Sequence, residues 1–351
     1  MLSVVVDRPN SLAVREVPTP TPAAGEVRVR VRYAGICGSD LHIYRGHNPF
    51  VSYPRIIGHE FVGRIESVGE GGDAARVGEL VAVDPVISCG RCHACQIGRQ
   101  NVCRNLVVLG VHRDGGFSEY VCAPARNAYR IPERIAQSCA AIVEPFAVAA
   151  IVEPFAVAAN VTARTGVLES DVALIYGAGT VGLTILQVLK RVYGVRAFIT
   201  DQLDERLELA RSCGAQADET INTRNEPLAD ALRARGVEDG PTLIFDAVGH
   251  PSILEEAVRL AAPAGRVGLL GFSSTPSAIA QQELTKKELT LCASRLNCAM
   301  FPTVIDWLER GLVTPESIIT HKVDFREVSS AFELAEHNPR ETCKVLLDFG
   351  A

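Results

Sequence analysis

The chain has 351 residues, 47% hydrophobic and 22% charged, an ordinary globular balance that excludes disordered and fibrous classes. Thirty-five basic against 41 acidic residues leave a net charge of −6, so no basic field draws it to nucleic acid or to an anionic membrane. A small-molecule partner is expected, and the length predicts two domains rather than one.

The opening MLSVVVDRPN lacks a basic segment followed by an apolar core, so no signal peptide is expected. Residues 27–33 alternate Val27, Val29, Val31 with Arg28, Arg30, Arg32, the pattern of a half-buried strand. Residues 61–68 and 79–83 read the same way, and PTPTP at 18–22 marks a loop. The most apolar stretch, 139–161, is cut twice by Glu-Pro and would bury charge in lipid, which argues against a membrane span. It contains AIVEPFAVA at 141–149 followed directly by AIVEPFAVA at 150–158, a local tandem duplication. From about Asp171 apolar runs at 172–176, 195–200, 242–246, 266–271 and 289–293 alternate with helical patterns such as 203–211 and 253–260. That alternation predicts an α/β, doubly wound parallel sheet. Helices near 303–310 and 329–336 and a strand at 343–348 close the chain. The expected organisation is a β-rich domain over 1–152, a nucleotide-type domain over 153–295, and a return to the first domain over 296–351.

Eleven cysteines, an odd total, include Cys89, Cys92, Cys95 and Cys103 within fifteen residues. Such crowding in a chain of this length suits metal binding better than disulfides, and points to a reducing, cytoplasmic setting. Four thiolates form a closed tetrahedral zinc site that is structural, here in a lobe over 86–105. An iron–sulfur cluster or unligated thiols are the alternatives, although the spacing departs from the ferredoxin run and no Pro follows Cys103. Cys37 in GICGSD, with His59 and Glu60 in GHE, offers a mixed S/N/O set suited to catalytic zinc with an open position.

Gly177-Ala178-Gly179-Thr180-Val181-Gly182 is G-x-G-x-x-G, placed after a buried strand and opening a helix. There the glycines permit a tight turn and close approach to a pyrophosphate held at the helix N-terminus. Asp201, nineteen residues after Gly182, would accept the ribose hydroxyls and favour NAD over NADP, with Arg206 placed to blunt that preference.

GICGSDLH, GHEFVG, the four-Cys lobe, GGFSEY, EPF and GAGTVG, in that order, resemble the zinc-dependent medium-chain alcohol dehydrogenase family over effectively the whole chain. The narrower likeness, carried by GHNPF, SYPRIIGHE, VLGVHRDGGFSEY and SRLN, is to its sorbitol and threonine dehydrogenase branch and to bacterial sugar-acid (galactonate-type) oxidoreductases. The resemblance implies a GroES-like catalytic domain, a Rossmann domain, two zincs (one catalytic, one structural), NAD, and a homo-oligomer, dimer or tetramer. It implies Cys37, His59 and Glu60 as catalytic-zinc positions, with a Glu opening the EP helix at or near the fourth. It also implies Ser39 and His42 as the pair that carries the alcohol proton to solvent, and puts Arg295 and Lys344 where the branch contacts cofactor or substrate. The duplication supplies two candidates for the further Glu, Glu144 and Glu153. Nine residues are about 2.5 helical turns, so the two would lie on opposite faces of one helix. Pro154 suits a fresh helix start, which favours Glu153. For an anionic substrate, His112-Arg113 is the candidate carboxylate grip.

The expected function is oxidation of a secondary hydroxyl of a polyol or sugar acid. A threonine-type amino-alcohol dehydrogenase and a zinc- and NAD-binding starvation sensor without turnover are the alternatives.

Overall fold

The computed structural model describes residues 1–132, 135, 147–148 and 150–350. Glu144 and most of the first copy of the duplication lie outside the described residues. Two compact units result, one of Met1–Glu153, Asn297–Glu309 and Ile319–Ala351, the other of Pro154–Leu296 and Arg310–Ile318.

The first unit is built on a seven-stranded sheet. Its centre is the strand Glu26–Ile36, whose buried Val27, Val29 and Val31 give it a core face. It pairs antiparallel with Glu60–Val68, with Tyr120–Pro124 and with Lys344–Asp348, so the last strand of the chain lies against one near its start. The register sets Gly35 opposite Glu60 on one side and opposite Leu346 on the other. A two-stranded ribbon, Val86–Ile87 with Val107–Val108, brackets the cysteine lobe.

The second unit holds six parallel strands. Counted along the chain from Val172–Tyr176 to Thr290–Ala293, their spatial order is 3-2-1-4-5-6, the doubly wound arrangement. The first four apolar runs become largely buried strands, with Leu174, Phe198, Ile244 and Val267 in one core, whereas the fifth, Thr290–Ala293, is mostly exposed at the sheet edge. Two details differ from expectation. The helix after the glycine turn, Thr180–Gln187, continues as a π-helix over Val188–Tyr193. Arg310–Ile318 groups with the second unit, because the buried amide of Gln187 binds the backbone of Thr314 on both sides and the Ser317 hydroxyl. The EP helix spans Val152–Thr165, so Pro154 stands in its first turn, where its missing N–H leaves no bond unmade. Among the described residues no helix is long and apolar enough to cross a membrane.

Candidate metal centre and cofactor site

Cys37 caps the short helix Gly38–Tyr44. Asp40, in its first turn, turns back so that Oδ2 accepts from the Cys37 N–H at 2.9 Å, and Oδ1 accepts from Gly58 N–H at 3.3 Å. One fully buried carboxylate thus ties the cysteine turn to the loop that delivers His59. Gly58 has φ +92°, and a Cβ there would collide with the Phe117 ring, so glycine alone lets the loop pass. His59 Nε2 lies 3.3 Å from Ser39 Oγ, while Nδ1, buried and without a hydrogen bond, faces Asp40 Oδ1 at 3.5 Å. Burial works against its charge, but Asp40 and Cys37 outweigh that and raise the imidazole well above its ordinary pKa.

Ligand atoms of Cys37, His59 and Glu60 all lie within 4.8 Å of one another. A thiolate, an imidazole and a carboxylate at such spacing fit one zinc ion, which takes this donor mixture in open sites. Glu60 is 1% exposed and both its oxygens accept from Lys344 Nζ, at 2.9 and 2.7 Å. That ammonium, equally buried, donates a third bond to the Ile36 carbonyl at 3.1 Å. Burial opposes the Lys344 charge, and the Glu60 carboxylate outweighs it and raises the pKa. Lys344 is thus part of this cluster, where three acceptors engage its ammonium. Glu153 is also buried; desolvation, then the charge of Glu60, pushes it up to about 8, while His59 and Lys344 pull the other way. It stands outside the tight trio. His42, exposed at the end of the same short helix, is held below its ordinary value by partial burial and by Arg45 and His47.

In the lobe the Cys92–Cys95, Cys92–Cys103 and Cys103–Cys89 sulfurs are 3.5, 3.8 and 3.4 Å apart. Disulfides are excluded at those separations, and zinc–sulfur bonds of about 2.3 Å set tetrahedral edges of roughly 3.8 Å. Backbone N–H groups of Arg104 and Cys95 lower Cys92 to about 6, and those of Arg91 and Cys92 lower Cys89. Burial and the neighbouring thiols push Cys95 up to about 11. Four cysteines with two already favouring the thiolate fit a closed zinc site.

In the second unit Gly177 has φ +91°, and a Cβ on Gly182 would collide with the Gly177 carbonyl, so the turn closes only with glycine at both. A Cβ on Gly179 meets nothing, which leaves open space at the N-terminus of the Thr180–Gln187 helix. Asp201 Oδ2 accepts from Ala178 N–H at 2.9 Å and its Oδ1 from Gln202 and Leu203 N–H, fixing the carboxylate beside the turn. Arg206 NH1 lies 3.8 Å from Asp201 Oδ2. Arg295 lies over the exposed Phe272 ring.

The family model for the alcohol dehydrogenase GroES-like domain matches residues 23–133, and that for the zinc-binding dehydrogenase matches 180–310. The chain belongs to the zinc-dependent medium-chain alcohol dehydrogenase family. As a member it is an oxidoreductase of the zinc alcohol dehydrogenase class. It is 55% identical over 350 residues to the starvation-sensing protein RspB of Escherichia coli K12, covering 99% of each chain. The crystal structure of RspB from E. coli CFT073, complexed with NADH, superposes with a TM-score of 0.93, 54% identity and 99% coverage of both chains. L-threonine 3-dehydrogenase of Coxiella burnetii is 33% identical, with 96% of each covered. L-galactonate-5-dehydrogenase of E. coli K12 is 31% identical, with 99% of this chain and 98% of that one covered.

Sequence reasoning missed Asp40 and Gly35. A carboxylate three residues after a ligand cysteine, ready to reach back to its N–H, is the signal for Asp40. Arg113, considered as a carboxylate grip, is held by Glu26 Oε1 at 2.6 Å, and that bond lowers the Glu26 pKa. That bond takes up NH1, so a substrate carboxylate would share this guanidinium with Glu26.

Proposed function

We propose that this dehydrogenase uses NAD and oxidises a secondary hydroxyl of a polyol or sugar acid. The observation that carries the reading is the Cys37–His59–Glu60 cluster beside Ser39 and an exposed His42. When bound, zinc supplies Lewis acidity and NAD a hydride acceptor. The chain supplies the rest. Cys37, His59 and Glu60 hold the metal, and Glu153, rather than Glu144, takes the place nearest its fourth position. Ser39 Oγ, already beside His59, accepts the proton of the substrate hydroxyl. His42, one turn further along the helix and neutral at pH 7, passes it to solvent. In the second unit the space at Gly179 receives the pyrophosphate, and the anchored Asp201 carboxylate accepts the ribose hydroxyls and repels a 2′-phosphate.

The likeness to L-galactonate-5-dehydrogenase supports a sugar acid; that to L-threonine 3-dehydrogenase supports an amino alcohol as the second reading. The ten described cysteines are all free, in keeping with a reducing, cytoplasmic setting. The Thr290–Ala293 strand ends the parallel sheet as an exposed edge, which supports pairing with a second copy in a homo-oligomer. Absorbance at 340 nm with hexonates, pentitols, butanediol and threonine, each with NAD and NADP, tests the assignment. Silence across the panel from a protein carrying two zincs would favour the sensor without turnover.

A further inference from the structure

Gly35 does not need to be glycine for its backbone, since its φ lies outside the left-handed region. It lies within a strand, where glycine packs nothing and weakens the pairing. A Cβ at Gly35 would overlap one neighbour, Glu60 Oε2, and displace that carboxylate. The carboxylate rests in the hollow that the missing side chain leaves, on the strand directly opposite. From the adjacent strand Lys344 closes the hollow and holds both carboxylate oxygens. Glu60 is therefore gripped on two sides while an oxygen stays within 4.8 Å of the Cys37 and His59 ligand atoms.

We propose that Gly35 and Lys344 form a seat that restrains the Glu60 carboxylate, making it the weakest-held ligand of the catalytic metal and keeping a position open for substrate. The inference rests on the metal reading above and assigns two positioning residues to it. A carboxylate that shares both oxygens with a buried ammonium has less charge to offer a cation, and the ammonium itself repels a dication. Freed from the seat, Glu60 would turn its full charge on the metal and fill the open position.

The test uses the metal-loaded full chain with Gly35→Ala, Lys344→Met, Glu60→Ala and the double variants of each of the first two with Glu60→Ala. Two readouts apply: the rate of zinc loss to a chelator, and the visible absorption of protein loaded with cobalt. Both single variants should lose the second zinc more slowly than the wild type, by about tenfold, and show a shifted cobalt spectrum. In the Glu60→Ala background neither change should alter the rate by more than about twofold, because the seat then has no occupant. Lys344→Met answers independently should Gly35→Ala fail to fold. Unchanged or faster zinc loss in the single variants overturns the seat, as does an effect that persists without the Glu60 carboxylate. A wild type that takes up one ion per chain overturns the metal reading and the seat together; two ions with an unmoved spectrum overturn the seat alone.

Discussion

Asp40 Oδ1 stands 3.5 Å from His59 Nδ1 while the other oxygen of the same carboxylate accepts the Cys37 N–H. One buried acid thus sets the direction of two metal ligands twenty-two residues apart. Carboxylate–histidine pairing fixes the tautomer and ring orientation of a ligating imidazole. Asp40→Asn should fold and still bind at the cysteine lobe, yet lose about 10- to 100-fold in affinity at the second site. Chelator competition followed ion by ion checks it, and wild-type affinity at both sites would remove Asp40 from the assembly.

Metal content separates the two clusters. Elemental analysis should give about two zincs per chain, one closed and one open. Cys92→Ser should lower thermal stability, since the four-cysteine lobe loses the ion it folds around. Cys37→Ser should stay folded and lose turnover. One zinc per chain with an active Cys37→Ser protein would contradict this.

Cofactor choice turns on a single carboxylate. Asp201, held by three backbone N–H groups, has no freedom to swing away from a 2′-phosphate. The wild type should prefer NAD, and Asp201→Ser should narrow the gap in kcat/KM between NAD and NADP. A wild type preferring NADP would instead point to Arg206 as the phosphate partner.

Acid stability should carry the mark of Asp84. Burial pushes its carboxyl up to about 6, against the bonds from Val86 N–H and the Asn297 amide that favour the anion. The unfolded chain releases this proton near pH ~4. Stability tied to the group is therefore full below about pH 4, declines between there and about pH 6, and is lost above. Asp84→Asn keeps an acceptor for both donors and removes that loss. At pH 7 the variant should be more stable by on the order of 2 kcal/mol, and the gain should vanish by about pH 4. Denaturant titrations at both pH values decide the matter.

The duplication offers a fifth comparison between variants. Deleting 141–149 or 150–158 produces the same protein, so one deletion shows whether the extra copy matters. Glu153→Ala should reduce turnover strongly and Glu144→Ala little. The opposite ranking would reverse the assignment of the two carboxylates.

How much of this could be seen in the sequence depends on how local the cause is. The strand at 172–176 appears as Val172–Tyr176, and the run at 343–348 as Lys344–Asp348, because apolar runs and turns are short-range signals. The four-cysteine spacing sits on one short loop, so its convergence follows from a few residues. The pairing of Lys344 with Glu60 is hidden for the contrary reason. Its partner Glu60 is 284 residues away, and only the pairing of the last strand with Glu26–Ile36 brings the two together. Gly35 is only the first residue of GICGSD by its local pattern, and its contact with Glu60 depends on a cross-strand register that no such pattern reveals. The π-helix at Val188–Tyr193 likewise has no period that distinguishes it from an ordinary helix.

The route of the chain orders events during its synthesis. Residues 154–296 form a contiguous stretch of the second unit, whereas the first unit waits for Lys344–Asp348 before its central sheet is complete. At roughly 5–20 residues per second, the 284 residues between Glu60 and Lys344 take about 15 to 60 s to emerge. Through that interval a thiol, an imidazole and an acid are present on the nascent chain without the ammonium that later seats one of them. The newborn protein thus carries most of the unit with the glycine turn before its metal-holding unit can close.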